Sequence, residues 1–100
     1  MDWQVILSPL ALEDLGQIVR YAAAHDPQAA ERLGNRLLDH AESLRDLPHR
    51  GGSVRSRPRV RKLPLWPYLI FYRVNEQSRS VEILRFWHGA RDTRELRFAD

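Results

Sequence analysis

The chain has 100 residues, 43% of them hydrophobic and 29% charged, with no cysteine and a formal charge of +3. That length supports one domain, residues 1–100, and the composition is too apolar for a disordered chain. The missing cysteines exclude disulfides, thiolate metal sites and Cys nucleophiles, no apolar run is long enough to span a bilayer, and Met1-Asp2 with no apolar stretch behind it does not read as a secretory signal. A cytoplasmic protein is the expectation.

Trp3, Val5 and Leu7 alternate with Gln4, Ile6 and Ser8, which predicts a short strand. Ser8-Pro9 then reads as a helix start: the Ser hydroxyl can accept from a free first-turn N–H, and Pro lacks the N–H that would go unpaired there. Leu12, Leu15, Val19 and Ala22 follow at spacings of three and four, with Leu10, Ala11 and Ile18 beside them and Glu13, Asp14, Gln17 and Arg20 on the other side. Asp26-Pro27 repeats the cap signal and opens a second helix on Ala30, Leu33, Leu37, Ala41 and Leu44, which Leu47-Pro48 ends.

Residues 48–58 combine Gly51-Gly52, two prolines and a density of Arg, and read as a loop. Val60, Leu63 and Leu65 mark a strand that runs into a Pro64-Leu65-Trp66-Pro67 turn. Tyr68 to Val74 is nearly continuous in β-formers and predicts a buried central strand. After a polar turn at residues 75–80, Val81 to His88 is its partner, and residues 93–98 suit a last helical turn.

The order is therefore β-α-α-β-β-β, an α+β fold. The last three strands are joined by turns too short for a parallel crossover. The two helices are expected on one face of a small antiparallel sheet, leaving Arg61, Arg73 and Arg85 on the other.

Charge is segregated along the chain. Residues 1–49 hold four basic and eight acidic side chains, a net of −4, whereas residues 50–100 hold twelve and five, a net of +7. Fifteen of the sixteen basic residues are Arg, whose planar fork of donors suits carboxylate or phosphate. A basic half of this density expects an anionic partner, nucleic acid or an acidic protein segment.

The four histidines are not spaced as metal ligands on one element. Gly51-Gly52 lacks the strand–loop–helix context of a phosphate loop, and no carboxylate pair falls on the strands. What remains is the Arg set with its neighbours. Guanidiniums near a His can hold a phosphodiester and assist attack by its own 2′-hydroxyl without a metal; the same groups can equally bind a phosphate backbone or a partner's carboxylates and catalyse nothing. The tryptophans and the Tyr68–Tyr72 run read mainly as core, with Trp66 in its turn the one expected at the surface.

The strings SPLALEDL, VRKL, YLIFYRV and VEILRFWHGARD, in this order, resemble the RelE/ParE superfamily of bacterial toxins from type II toxin–antitoxin modules, across Trp3 to Leu96. The resemblance implies a compact α+β toxin that needs no cofactor or metal. A cognate antitoxin would wrap it with an acidic C-terminal segment, in a toxin–antitoxin hetero-oligomer of the plasmid-stabilisation kind. One branch cleaves messenger RNA on the ribosome, using basic residues and a Tyr or His near the C-terminus; here that constellation would be Arg61, Arg73, His88 and Arg91. The ParE-like branch acts on DNA gyrase and is not known as a nuclease. The terminal Tyr position falls at about Arg97, followed by Phe98, and neither side chain can shuttle a proton. The closing H-G-A-R-D also looks closer to the ParE-like branch. A non-catalytic gyrase toxin is thus expected, with the nuclease and a non-toxic antitoxin-binding module as alternatives. Arg59, Arg61, Lys62, Trp66, Arg73, Arg85, His88, Arg91, Arg94 and Arg97 are the candidates for target or antitoxin binding.

Overall fold

The computed structural model describes residues 3–98. In chain order it comprises β1 (Gln4–Leu7), α1 (Pro9–Ala23), α2 (Pro27–Glu42), β2 (Gly52–Val54), β3 (Arg57–Leu65), β4 (Tyr68–Asn75) and β5 (Ser80–His88), with 3-10 turns at Ser43–Arg45 and Thr93–Glu95. Both helix starts form as their sequences dictate. Ser8 Oγ accepts from the Ala11 N–H and Asp26 Oδ1 accepts from the N–H groups of Gln28 and Ala29, with Pro9 and Pro27 opening the helices.

The strands form one sheet in the order β1-β5-β4-β3-β2. Strands β2 to β5 are antiparallel neighbours, but β1 pairs with β5 in parallel, so the sheet is mixed rather than antiparallel. Tight turns impose antiparallel pairing only on strands adjacent in sequence, and β1 reaches β5 through the whole intervening chain. A second difference is β2: Gly52–Val54, expected as loop, folds back on β3.

Helices α1 and α2 cover one face of the sheet, where Leu37, Ala41 and Leu44 pack against Leu63, Ile70, Tyr72, Val81, Ile83 and Phe86. The α2 stripe is the predicted one. On α1 the stripe is rotated: Ala11 and Asp14 are buried while Leu12 stays exposed. The opposite face is not the polar surface expected. It carries a second apolar cluster of Val60, Leu69, Phe71, Leu84 and Trp87, against which Leu96 and Phe98 of the C-terminal segment pack. This explains the continuous apolar run of β4: both of its faces are covered.

A β-bulge re-aims part of β5. Phe71 pairs with Arg85 but Tyr72 pairs with Ile83, so Leu84 is the extra residue. Past the bulge the two-residue alternation restarts with Phe86 toward the helices and Trp87 toward the second cluster. Arg85 is thereby turned to the sheet edge that β1, ending at Leu7, leaves uncovered.

Candidate functional site

At that edge α1 substitutes for a strand. Ser8 Oγ donates to the Leu84 carbonyl at 3.0 Å, and Asp14 Oδ2 accepts from the Phe86 N–H at 3.1 Å. Asp14 also takes a fork from Arg85, Nε to Oδ2 at 2.7 Å and Nη2 to Oδ1 at 2.9 Å. The two side chains are only 7% and 11% exposed, and the Asp14 carboxylate holds the Arg85 guanidinium still more firmly protonated than usual. The third guanidinium nitrogen donates to the Arg97 carbonyl at 2.6 Å, fastening the C-terminal segment across the sheet. Arg85 is therefore a structural tie and not a free cation. Its partner was missed because helical spacing places Asp14 beside Glu13 on the solvent side; only the strand edge left open beyond β1 shows why a carboxylate is needed inside.

Three of the candidate arginines gather around a hollow of about 640 Å³, with Ile6, His49, Val74, Glu76 and Glu82 also on its walls. Arg73 Nε donates to Glu82 Oε1 at 2.9 Å. Arg61 Nη1 donates to the carbonyls of Gly51 (2.6 Å) and His49 (3.2 Å), holding the chain that leads into β2. Arg59 is exposed and makes no ion pair among the described residues. His49 faces Glu76, Nε2 to Oε2 at 2.8 Å, and stands edge-on to Trp3. The hollow is thus cationic but not uniformly so, with two carboxylates already answering part of its charge.

Lys62 lies on the other side of β3, opposite Phe71, in a smaller hollow of about 210 Å³ shared with Arg57, Leu69, Leu96 and Phe98. Arg57 stacks over the Phe98 ring with its Cζ 5.0 Å from the centroid.

The remaining candidates sit at the far end of β5. His88 Nδ1 accepts from the Ala90 N–H at 3.0 Å; a backbone N–H can only donate, so in the neutral ring the proton is on Nε2. Its ring stands edge-on to Tyr68, 5.2 Å between centroids. Burial pushes the Tyr68 hydroxyl above its ordinary pKa, with a smaller contribution from Tyr21. Trp66, expected at the surface, is 68% exposed. Its indole lies against Gly89, where a Cβ would meet the ring at 2.9 Å and the Pro67 carbonyl at 3.0 Å. Arg91 stacks on Trp87 with its Cζ 3.8 Å from the ring centroid. Trp87 Nε1 is buried and has no hydrogen-bond partner among the described residues. Arg94 turns back on Asp92, which caps the short turn after it and is held below the usual carboxylate pKa by the Arg94 side chain and N–H. Arg97 donates to the Arg94 and Leu96 carbonyls.

The four residues expected of a nuclease are not brought together. Arg61 and Arg73 share the large hollow, whereas His88 lies six residues along β5 from Glu82, the partner of Arg73, a distance of about 20 Å. Arg91 follows His88 past the end of the strand. No group of three or more His, Cys, Asp or Glu side chains among the described residues could hold a metal ion, and no described helix is long and apolar enough to cross a membrane.

Residues 5–93 match the sequence profile of the ParE toxin of type II toxin–antitoxin systems, parDE. Toxin RelE1 of Caulobacter vibrioides is 35% identical over 91 residues, spanning 89% of this chain and 96% of that protein. Toxin RelE2 of the same organism is 37% identical over 89 residues, 88% and 97% of the two chains. Among solved structures, a chain of the chromosomal ParDE system of P. aeruginosa superposes with a TM-score of 0.76 at 23% identity, covering 86% of this chain and 95% of its own. A chain of the RelBE2 toxin–antitoxin complex of Mycobacterium tuberculosis does so with a TM-score of 0.70 at 22% identity, over 88% and 99%. Those two likenesses show the fold, two helices on a five-stranded sheet; the profile match and the relatives show the lineage. The chain belongs to the ParE toxin family of the RelE/ParE superfamily, the toxins of type II toxin–antitoxin systems.

Proposed function

We propose that this toxin acts by binding DNA gyrase without chemistry of its own, and that a cognate antitoxin keeps it inactive by covering its cationic surface. The observation that carries this reading is the separation of the residues a nuclease would need. Metal-free cleavage of RNA requires a base for the 2′-hydroxyl, cations on the phosphate and an acid for the leaving group, all within hydrogen-bond reach of one phosphodiester. Here Arg73 is paired with Glu82, six residues or about 20 Å of strand from His88. Arg61 is held by the Gly51 and His49 carbonyls, Arg91 is stacked on Trp87, and Arg85 is bound to Asp14. The C-terminal segment offers Arg97 and Phe98, neither of which exchanges a proton near neutral pH.

The test is a supercoiling assay with purified gyrase. Micromolar toxin is expected to block supercoiling and to accumulate cleaved DNA, and equimolar antitoxin to restore activity. Unchanged supercoiling at that concentration overturns the reading. The names of the two Caulobacter relatives favour the rival, a ribosome-dependent nuclease in the cytoplasm. Primer extension on ribosome-bound message during growth arrest separates the two: cuts within the A site support the nuclease, intact message the gyrase toxin. Harmless overexpression of the folded chain would leave only an antitoxin-binding role.

A further inference from the structure

No Asp or Glu occurs between residues 47 and 75, while residues 50–62 alone carry Arg50, Arg55, Arg57, Arg59, Arg61 and Lys62. The fold brings Glu76 and Glu82 to the hollow that Arg59 and Arg61 line, but bonds them to His49 and Arg73 and not to this stretch. It forms the hairpin of β2 and β3 at the edge of the sheet, and none of its six cations has a carboxylate partner among the described residues. Five of the six are exposed, and Arg61 is half-buried. Of the apolar side chains in residues 50–62, Val60 is buried in the second cluster and Val54 packs against it, which leaves Pro58 as the exposed one.

We propose that the β2–β3 hairpin is a nucleic-acid contact that grips the phosphate backbone independently of base sequence. The scarcity of outward apolar side chains, a single proline beside six cations, decides between an acidic polypeptide and a polyphosphate. Protein interfaces place apolar and aromatic groups at their buried centre and are depleted of charge there, whereas this hairpin exposes cations with two serines and one proline among them. A phosphate backbone needs no apolar contact, because its binding is driven by release of condensed counterions. Guanidinium forks also suit phosphate oxygens. Contacts to phosphate oxygens add affinity and position but carry no sequence information of their own. For a toxin engaging an enzyme that holds DNA, such an arm would fasten the complex to the strand beside the protein contact. The contact itself does not depend on the gyrase reading and is tested without gyrase.

The experiment is fluorescence anisotropy of the purified full-length chain, free of antitoxin, on a short labelled DNA duplex of arbitrary sequence, with single-stranded RNA as a second arm. With about five or six phosphates engaged, log affinity should fall against log salt with a slope of about −5, a loss of about a thousandfold between about 50 and 200 mM salt. The triple variant Arg55→Gln/Arg57→Gln/Arg59→Gln should make the slope shallower by about three. A charge-matched control, Arg20→Gln/Arg32→Gln/Arg36→Gln on exposed helical positions, should leave it unchanged. Circular dichroism confirms that each variant is folded. The tighter of the two arms identifies DNA or RNA as the backbone gripped. No binding at about 50 mM salt, equal losses in the two triple variants, or polyglutamate competing as well as the duplex would each overturn the proposal, the last in favour of an acidic protein partner. A supercoiling assay read separately keeps its failure distinct from that of the gyrase reading.

Discussion

Asp14 and Arg85 lie 71 residues apart in sequence and are nearly closed off from water. One carboxylate there closes a strand edge, neutralises a guanidinium and, through it, fixes the Arg97 carbonyl. Removing one member of a buried pair strands the other charge, at a cost of about 3–5 kcal/mol. Asp14→Ala should therefore lower the urea midpoint sharply, and the double variant Asp14→Leu/Arg85→Leu should recover much of the loss, because no charge is then left buried. Equal destabilisation of single and double variants would show that the Phe86 N–H bond, not the ion pair, carries the effect. Tyr72 is a second such residue: buried on the helix side of the sheet, its hydroxyl oxygen accepts from the Gly51 N–H at 2.8 Å. Burial raises its pKa against the opposing pull of that N–H and of Arg61 and Arg50. A raised folded-state pKa means stability that is complete below the unfolded value of about 10 and is lost as pH climbs through the folded one. Tyr72→Phe should cost about 1–3 kcal/mol at neutral pH, by orphaning the Gly51 N–H, and should weaken the alkaline fall in thermal midpoint. An unchanged alkaline limb would assign that fall to other groups.

At the scale of elements, the C-terminal segment behaves as a strap over the second apolar cluster. Phe98 stands edge-on to Phe71, 6.0 Å between centroids, beneath Arg57, and the Arg85 fork holds the chain just before it. Phe98 is only half-buried, so Phe98→Ala should cost roughly half of the 3–5 kcal/mol of a core Phe. Faster amide exchange should follow at residues 93–98, with the exchange of α1 and α2 unaltered near neutral pH. Protection of that segment equal to wild type would mean that the Arg85 tie suffices alone. Such cooperation marks the limit of what the sequence shows. The caps at Ser8 and Asp26, the α2 stripe and the β4 run are local patterns, and each folds as its spacing predicts. The parallel pairing of β1, the bulge at Leu84 and the burial of Asp14 depend on contacts across most of the chain. An alternation of period two cannot reveal an inserted residue. Carried on from Val81 and Ile83 it would put Arg85 with the helices, yet past the bulge Arg85 stands opposite Phe71 and over Trp87, on the expected face. Arg61, by contrast, pairs with Tyr72 on the helix side. The candidate site was legible as a composition, basic and anion-seeking. Which arginines are free was not, because Arg61, Arg85, Arg94 and Arg97 are all used on backbone or carboxylate partners.

The whole molecule measures 42 × 32 × 21 Å, so at about 0.01 M salt, where the screening length is about 30 Å, nearly every charge feels every other. At about 0.15 M that length falls to about 8 Å, and only neighbours interact. Six cations fall within residues 50–62, and no carboxylate within that stretch offsets them. A surface that carries this many like charges is therefore under electrostatic strain in the free chain. Raising the salt from about 0.01 to 0.15 M should accordingly raise the thermal midpoint of the free chain, although added salt weakens exposed ion pairs such as Arg45–Glu42. The variant Arg55→Gln/Arg57→Gln/Arg59→Gln should start from a higher midpoint at low salt and gain less from added salt, its curve meeting that of the parent near physiological ionic strength. Calorimetry at four or five salt concentrations is sufficient to see both trends. If the parent is destabilised by salt throughout this range, attraction between the acidic half and the basic half outweighs repulsion within the hairpin. The cationic surface would then be stabilised from within the chain, with no partner needed to relieve it.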